Sequence, residues 1–158
     1  MTAYSIKDIV NSADRYKLFT LMCMPENLFN SIAFLKSKGI NALNIGKELA
    51  LYIDSLEDYR YLNMDVCDYT LKLFNAHKVK INGQGNGVIA IHNLGILLEP
   101  LLEINVVQLL KEFSKTVALI IIWESQFEPP AHLTWETQKH TFSLDFTETQ
   151  IKLIHYDI

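Results

Sequence analysis

The stretch KLFTLMCMPENLFNSIAFLKSKG, residues 17–39, contains the junction on which the predicted fold depends. The apolar run at residues 16–22 predicts a buried strand. Pro25 suits the first position of a helix and Gly39 its end, so residues 26–38 are predicted to form a helix with one apolar face. A strand that leads through a short turn into a helix is the first half of a strand–helix–strand unit.

The rest of the chain continues this alternation. Residues 117–123, VALIIIW, are apolar at every position, as is typical of a strand buried on both faces. Residues 83–87, GQGNG, contain three glycines and predict a surface loop without one preferred conformation. The other predicted elements are a short helix capped by Ser5, a strand at 40–45, a helix beginning at Gly46, a helix at 66–74, a strand at 88–91, a helix from Ile104 to Phe113, and strands at 141–146 and 151–156. Together they predict a three-layer α/β fold around a mainly parallel sheet, in a single domain over residues 1–158.

The composition limits the class of protein. With 158 residues, 49% of them hydrophobic, the chain is long enough for one substantial core and too short for two ordinary domains. It has 14 basic and 18 acidic residues and a net charge of -4, and its densest basic run, at residues 77–80, is short. This charge argues against a general grip on nucleic-acid phosphates.

The hydrophobic pattern also bears on location. No apolar run of the sequence reaches the length of a membrane span, and the first residues lack the pattern of a signal peptide. A cytoplasmic location without membrane contact is therefore expected. In that compartment Cys23 and Cys67 are expected to be reduced thiols.

The turn after residues 16–22 is the first candidate site, because ligands of such folds bind at the carboxyl ends of the strands. A phosphate loop there requires glycines whose N–H groups surround the phosphates, a lysine that neutralises them, and a Ser or Thr that holds magnesium. Aligned on the strand end, Phe29 occupies the position of the lysine, and Asn30 and Ser31 that of the hydroxyl residue. Leu28 precedes them, and only Asn30 or Ser31 would remain to contact an anion.

Residues at two strand ends oppose nucleotide chemistry. Pro25 removes one N–H donor, and Glu26 places a carboxylate where it complements the helix dipole and repels an anion. The strand at 88–91 should end in an acidic residue that holds magnesium or the attacking water. The chain has His92 and Asn93 there, and a neutral imidazole and an amide are poor ligands for magnesium.

A second glycine-lysine pattern has a simple structural explanation. Gly46 and Lys47 are similar to the end of a phosphate-loop signature, but Glu48 follows where Ser or Thr is required. The start of a helix after a strand is the favoured interpretation.

Metal and thiol chemistry are weaker alternatives. His132, Glu136 and His140 are spaced for zinc only if they share a helix, which the neighbouring prolines and threonines disfavour. The pairs of cysteine and histidine that could combine a thiol with a base are Cys23 with His92 and Cys67 with His77. Buried structural cysteines are favoured over both pairs.

Several segments from residue 16 onward resemble one known family. They are LNIGKEL at 43–49, VIAIHNLGILLEPLL at 88–102, LLKEFSK at 109–115 before the apolar strand, and LTW at 133–135 with His140. Their order and spacing resemble the BrxF family, the small P-loop-type component of type 3 bacteriophage-exclusion (BREX) defence systems.

The resemblance implies a P-loop NTPase-like fold with a mainly parallel five-stranded sheet in the order 5-1-4-3-2. It also implies larger ATPase, methyltransferase and phosphatase-like partners in defence against phage DNA. Members with an intact phosphate loop would have Gly, Lys and Ser or Thr where this chain has Leu28, Phe29 and Asn30, and an acid where it has His92.

The expected function is therefore that of a catalytically silent assembly or adaptor subunit of an anti-phage defence complex. Such a subunit would bind other proteins of the system, or further copies of itself, and would reach DNA only through partners, without a requirement for ATP or magnesium. One alternative is an ATP-binding or ATP-hydrolysing subunit with an unorthodox or composite nucleotide site. Another is a nucleic-acid-binding module that uses Lys36, Lys38, Lys78 and Lys80.

Overall fold

The computed structural model of the chain describes residues 3–124, 126–128, 132–136, 141–146 and 152–154. Its α-helices are α1 (Ile6–Val10), α2 (Leu28–Ser37), α3 (Ile45–Ser55), α4 (Leu62–His77) and α5 (Val106–Ser114). Its strands are β1 (Ala3–Tyr4), β2 (Leu18–Met22), β3 (Ala42–Asn44), β4 (Val79–Lys80), β5 (Gly87–His92), β6 (Val117–Trp123), β7 (Gln126–Glu128), β8 (His132–Glu136), β9 (Thr141–Asp145) and β10 (Lys152–Ile154).

The main sheet has a parallel centre. Five strands of three to seven residues lie side by side in the order β10, β2, β6, β5, β3, and every pairing among them is parallel. Two two-residue strands extend the sheet: β1 pairs with β10, and β4 pairs antiparallel with β5. The predicted α/β class and mainly parallel sheet are confirmed.

Strand β6 is the middle of the core, and all seven of its residues are buried. Its side chains alternate between the two faces of the sheet, as the period of two requires. Leu119 and Ile121 join the core on which α3, α4 and α5 pack, and Ile120 and Ile122 join the core beneath α1 and α2. Complete burial of each such side chain contributes about 1.5–3 kcal/mol. Helices thus cover both faces, giving three layers.

A small second sheet follows β6. Strands β7, β8 and β9 pair antiparallel, whereas β10 belongs to the main sheet. The strands predicted at 141–146 and 151–156 therefore belong to different sheets. Leu133 and Leu144 of this small sheet are buried in the same core as α5. The indole N–H of Trp123 donates a hydrogen bond to the backbone oxygen of Thr134 (3.0 Å), which ties the two sheets together.

The first helix begins as its sequence predicts. The hydroxyl of Ser5 accepts from the N–H of Asp8 (3.3 Å), and the Asp8 carboxylate accepts from the N–H of Ser5 (3.0 Å), so both halves of a capping box are present. The bond from the N–H of Ser5 lowers the pKa of Asp8 most, and a second bond that the Ser5 hydroxyl donates to the same carboxylate (2.9 Å) lowers it further.

The glycine-rich segment before β5 is more ordered than predicted. The side-chain amide of Asn86 donates to the backbone oxygens of Ile9 (3.2 Å) and Ser12 (2.8 Å), and its N–H donates to the oxygen of Val10 (2.8 Å). Gly85 has a φ of +73°, and a Cβ atom there would lie 2.6 Å from that Val10 oxygen. The prediction of a loop without one preferred conformation was wrong, because these hydrogen bonds fix the segment against the end of α1.

Candidate functional site

The candidate site lies at the carboxyl edge of the main sheet, where β2, β6, β5 and β3 end. The last residues of these strands are Met22, Trp123, His92 and Asn44. Because the four strands are parallel, their ends meet at one edge, and the loops that follow them are neighbours. The positions singled out in the sequence therefore lie along a single edge.

The turn after β2 is shorter and tighter than a phosphate loop. Cys23 and Met24 lead into a 3₁₀ turn, Pro25–Asn27, and α2 begins at once with Leu28. The proline has no N–H to offer an anion, and the exposed Glu26 places a carboxylate at this end of the helix. The predicted single helix over residues 26–38 is thus divided, with its first turn in the 3₁₀ conformation.

The side chains that follow the turn point to different environments. Phe29, which the sequence analysis aligns with the lysine of a phosphate loop, is 80% exposed, and Asn30 is exposed beside it. Leu28 is half-buried against the core beneath α2. Ser31 is only 3% exposed, so its hydroxyl lies inside the protein and not at the surface where an anion would approach.

The buried hydroxyl of Ser31 has a partner in the protein. It forms a hydrogen bond with the thiol of Cys23, which is itself half-buried. Burial raises the pKa of Cys23, the charge of Glu124 raises it further, and the hydrogen bond with Ser31 opposes the shift. The thiol therefore stays protonated at neutral pH, and the two side chains form a neutral pair at the end of β2.

His92 is the most enclosed polar residue of the strand ends. It is 6% exposed, and its Nδ1 atom has no hydrogen-bond partner among the described residues. Burial lowers the pKa of His92, because the charged imidazolium would lose its hydration. The neutral imidazole brings no charge to this edge of the sheet.

Asn93 and Asn44 join the ends of two neighbouring strands. Asn93 adopts a left-handed conformation with a φ of 61°, and its amide donates to the side-chain oxygen of Asn44 (2.9 Å). The same oxygen of Asn44 accepts from the N–H of Lys47 (3.0 Å) and so caps α3. Asn44 was not among the predicted site residues, although an asparagine before a helical segment is a recognisable capping signal.

Gly46 takes part in this junction. A Cβ atom there would lie 2.9 Å from the backbone oxygen of Asn93, too close for any larger residue. The Gly46-Lys47 pair therefore marks a helix start against which Asn93 packs, in agreement with the favoured interpretation of the sequence.

The two pairs of cysteine and histidine do not meet. Strand β6 separates β2 from β5, so Cys23, which follows β2, and His92, which ends β5, belong to strands whose axes are roughly 10 Å apart. Cys67 and His77 lie on one helix, separated by about 15 Å of rise. The described cysteines are both free thiols.

The structure also bears on metals and membranes. His132 and Glu136 belong to β8, so the helical face on which a zinc site would depend is not formed, and His140 lies outside the described residues. Within the described ranges no three His, Cys, Asp or Glu residues converge in a way that could hold a metal ion. Nor does any described helix combine the length and apolar character needed to cross a bilayer.

This edge exposes large apolar side chains. Three side chains on or beside the turn are exposed, with exposed fractions of 38% for Met22, 60% for Met24 and 80% for Phe29. We call these three residues the apolar turn surface. Of the three, only Phe29 is among the site residues named from the sequence, and the exposure of none was predicted, because a strand end and a turn give no periodicity from which exposure could be inferred.

Comparisons of the chain with models of protein families, with curated proteins and with solved structures gave no match.

Proposed function

We propose that the chain is a P-loop-like domain without nucleotide chemistry that serves as an assembly subunit of a bacterial anti-phage defence complex. The observation that supports this proposal best is the turn after β2, where a proline, a carboxylate and an exposed phenylalanine replace the glycines and lysine of a phosphate loop. The defence setting rests on the resemblance to the BrxF family.

The arrangement of the strands supports the P-loop-like assignment. With the five central parallel strands numbered along the chain, β6 is the fourth, and it lies between β2, the first, and β5, the third. The order 5-1-4-3-2 requires this insertion. It places the candidate phosphate turn and the candidate acidic position at the same edge, separated by one strand.

The electrostatics of the edge favour an empty nucleotide site. Residues 22–31 contain one carboxylate and no basic residue, so a triphosphate at this turn would be repelled by Glu26, with no cation in the turn to offset the repulsion. The neutral pairing of Cys23 with Ser31 and the neutral His92 add no positive charge. The domain therefore binds partners at this edge in place of nucleotide.

The apolar turn surface is the proposed contact for a partner subunit. Replacement of an exposed phenylalanine costs the free protein little stability. Burial of the same side chain against another protein contributes about 1.5–3 kcal/mol to binding. Met24 beside it has an unbranched side chain that adapts to a partner's shape. Larger subunits of the system and further copies of this chain are both candidates for that partner.

Titration calorimetry with Mg-ATP tests the absence of nucleotide chemistry, and no heat of binding is expected from the isolated protein. Plating of phage on a host that carries the complete system tests the assembly role. Phe29→Glu should abolish protection, whereas Ser31→Ala should retain it, because Ser31 is buried and neutral in this proposal. Micromolar binding of Mg-ATP to the isolated protein would overturn the proposal.

One observation favours a second function, a composite nucleotide site completed by a partner's lysine or arginine. The Nδ1 atom of the buried His92 has no hydrogen-bond partner among the described residues, which is costly unless a ligand or partner supplies one. This function predicts ATP turnover that occurs only in the reconstituted complex and disappears with His92→Ala or Ser31→Ala. Unchanged turnover in both variants would exclude it.

A further inference from the structure

Helices α4 and α5 run side by side in the same direction. Where they begin, the side-chain amide of Asn63 donates to the backbone oxygen of Glu103 (2.9 Å), which precedes α5. Toward their ends, the rings of Phe74 and Phe113 lie with their centroids 4.9 Å apart. Each contact joins corresponding positions of the two helices, so the helices are parallel neighbours.

An open groove of about 370 Å³ lies between these two helices. The apolar part of its lining consists of Cys67, Leu71, Ile104 and Leu109. Cys67 and Leu71 are four residues apart and therefore share one face of α4. The lining as a whole extends along roughly two turns of each helix, a length of about 10 Å. We call this feature the α4–α5 groove.

The amide side chains of the groove already bond within the protein. Asn63 donates to the backbone before α5, and the side-chain oxygen of Asn105 accepts from the N–H of Gln108 (3.1 Å). The amide of Gln108 in turn donates to Glu112 (2.8 Å). A small ligand requires convergent polar groups that fix its orientation, and these amides are occupied. An apolar lining two helical turns long instead fits the binding of a helix in a groove.

The carboxylates of the groove favour a cationic occupant. Glu103 and Glu112 line the groove, and no basic residue does. Glu112 forms an ion pair with Lys115 (3.0 Å), whereas Glu103 is exposed and forms no ion pair with any residue that the structure describes. Burial raises the pKa of the Cys67 thiol, and the charge of Asp68 raises it further, so this third carboxylate acts on the groove as well.

The segment that leads into α4 adds negative charge and exposed apolar surface. Residues 54–68 contain five carboxylates and one arginine, a charge of -4 that equals the net charge of the whole chain. Arg60 is paired with Asp58 (2.6 Å), and the other four carboxylates form no ion pair within the described part of the chain. Tyr61 and Met64, beside the start of the groove, are 64% and 63% exposed.

The lysines of the two helices do not offset this charge within the groove. Nζ of Lys111 and Nζ of Lys115 lie 5.0 Å and 5.9 Å from the centroid of the Tyr16 ring, which does not line the groove. Lys72 follows Leu71 in α4, about 100° farther around the helix, and does not line the groove either. The surface that an occupant would meet is therefore apolar and negatively charged.

We infer that the α4–α5 groove binds an amphipathic helix of another protein, with an apolar stripe seated in the groove and lysines or arginines beside the stripe. The stripe packs on Leu71 and Leu109, and the cations approach Glu103 and the carboxylates at the start of α4. The exposed ring of Tyr61 offers a further attractive face to a cation. A second copy of this chain fits less well, because it brings a net charge of -4 to a negative surface.

This groove is separate from the apolar turn surface. Helices α4 and α5 pack on one face of the main sheet, whereas the apolar turn surface adjoins α2, which packs on the other face. The domain therefore has two surfaces on which different proteins can bind. This inference goes beyond the proposed assembly role and does not depend on it.

Fluorescence anisotropy with labelled peptides tests the inference, at about 50 mM salt, where charges are only partly screened. The cationic probe is a peptide of about 18 residues, long enough to form a helix, with leucines along one stripe and lysines beside it. The anionic probe has glutamate in place of every lysine. The scrambled probe has the composition of the cationic probe without its stripe. The cationic probe should bind, and the other two should bind roughly tenfold more weakly or less.

Two pairs of variants locate the binding on the groove. Leu109→Ala should weaken binding of the cationic probe roughly tenfold, whereas Leu51→Ala, at an exposed leucine of α3, should not change it. Glu103→Gln should weaken binding about threefold, whereas Glu26→Gln, which removes one charge from another exposed turn, should not. Thermal unfolding confirms that each variant is folded.

The thiol of Cys67 provides a test that needs no substitution. Bound peptide should slow the alkylation of Cys67 by N-ethylmaleimide in proportion to the occupied fraction of the protein, because the peptide covers the groove. Cys23 follows β2, outside the groove, and should react at the same rate with and without peptide. Mass spectrometry of the digested protein measures the two rates separately.

The inference is wrong if the cationic probe does not bind at the low salt concentration, or if the anionic or scrambled probe binds as tightly. It is also wrong if bound peptide leaves Cys67 unprotected or protects both cysteines equally. Protection of Cys67 at high concentrations of the protein alone, with a dimer in sedimentation, would make a second copy of the chain the occupant and overturn the inference.

Discussion

The backbone oxygen of Asn93 lies where a side chain on Gly46 would have to be, 2.9 Å from the position of a Cβ atom. Asn93 follows β5 and Gly46 follows the neighbouring strand β3. Asn93 also donates a hydrogen bond to the side chain of Asn44, which caps α3 two residues before Gly46. Close packing at Gly46 and the hydrogen bonds of Asn44 together join the carboxyl ends of β3 and β5.

Replacement of Gly46 by alanine should therefore destabilise the protein by about 1–3 kcal/mol, the usual cost of overpacking. Urea unfolding measures this loss. The matched control is Gly87→Ala, where the nearest atom to a new Cβ, Cδ of Lys78, lies at an ordinary contact distance of 3.8 Å. Equal stability of the two variants would show that Asn93 can move aside.

His92→Leu should change how stability depends on pH. Burial holds the pKa of His92 below its usual 6.5, so between the two values the unfolded chain binds a proton that the folded protein does not. The contribution of the neutral His92 to the free energy of unfolding is therefore complete at pH values above the usual pKa and is lost as the pH falls below that value. The free energy of unfolding of the wild type should thus decrease more than that of the variant between about pH 7.5 and about pH 5.5.

The same substitution should cost little at neutral pH. Leucine removes the Nδ1 atom that has no partner among the described residues, and loss of such an unpaired group offsets the altered packing. An identical pH dependence in the two proteins, measured by urea unfolding, would exclude His92 as a source of acid sensitivity.

Phe29→Glu should leave the stability of the isolated protein within about 0.5 kcal/mol of the wild type, because the side chain is exposed. It should nevertheless prevent co-elution with partner subunits in size-exclusion chromatography of the reconstituted system. Leu101→Glu is the matched control, since Leu101 is 91% exposed but lies outside the apolar turn surface. Loss of co-elution in both variants would indicate a general effect of surface charge.

Asn86→Ala should destabilise the protein by about 1–3 kcal/mol through loss of two side-chain hydrogen bonds to the end of α1. Thermal unfolding measures the change. Asn75→Ala is the control, because the amide of this exposed residue bonds only to Leu71 within its own helix (3.0 Å) and its loss should change stability by less than about 0.5 kcal/mol. A smaller effect at Asn86 than at Asn75 would contradict the assigned role.

Local patterns were sufficient for the elements that depend on near neighbours. The capping box at Ser5 and Asp8 and the fully buried strand β6 follow from residues close in sequence, whose side chains either bond one another or repeat with the period of a strand. The helix predicted at 66–74 was too short, since α4 extends over Leu62–His77. Packing of its buried face stabilises the helix beyond the residues whose spacing predicts it.

The candidate site was predicted only in part, because residue chemistry can be read from the sequence and tertiary packing cannot. That Pro25, Glu26 and Phe29 cannot form a phosphate loop follows from their chemistry, which needs no coordinates. The burial of Ser31 and the exposure of Met24 depend on which distant residues pack around the turn. The spacing of residues in the sequence does not predict such packing.

The sequence by itself determined the α/β class, the succession of the main elements and the absence of glycine and lysine from the first turn, because each depends on residue type and short-range periodicity. Only the tertiary structure decided that Asn86 holds the glycine-rich segment, that Asn93 packs on Gly46 and that Tyr16 lies among lysines of α5. Each of these contacts joins residues far apart along the chain, so it exists only once the sheet has placed their strands and helices together.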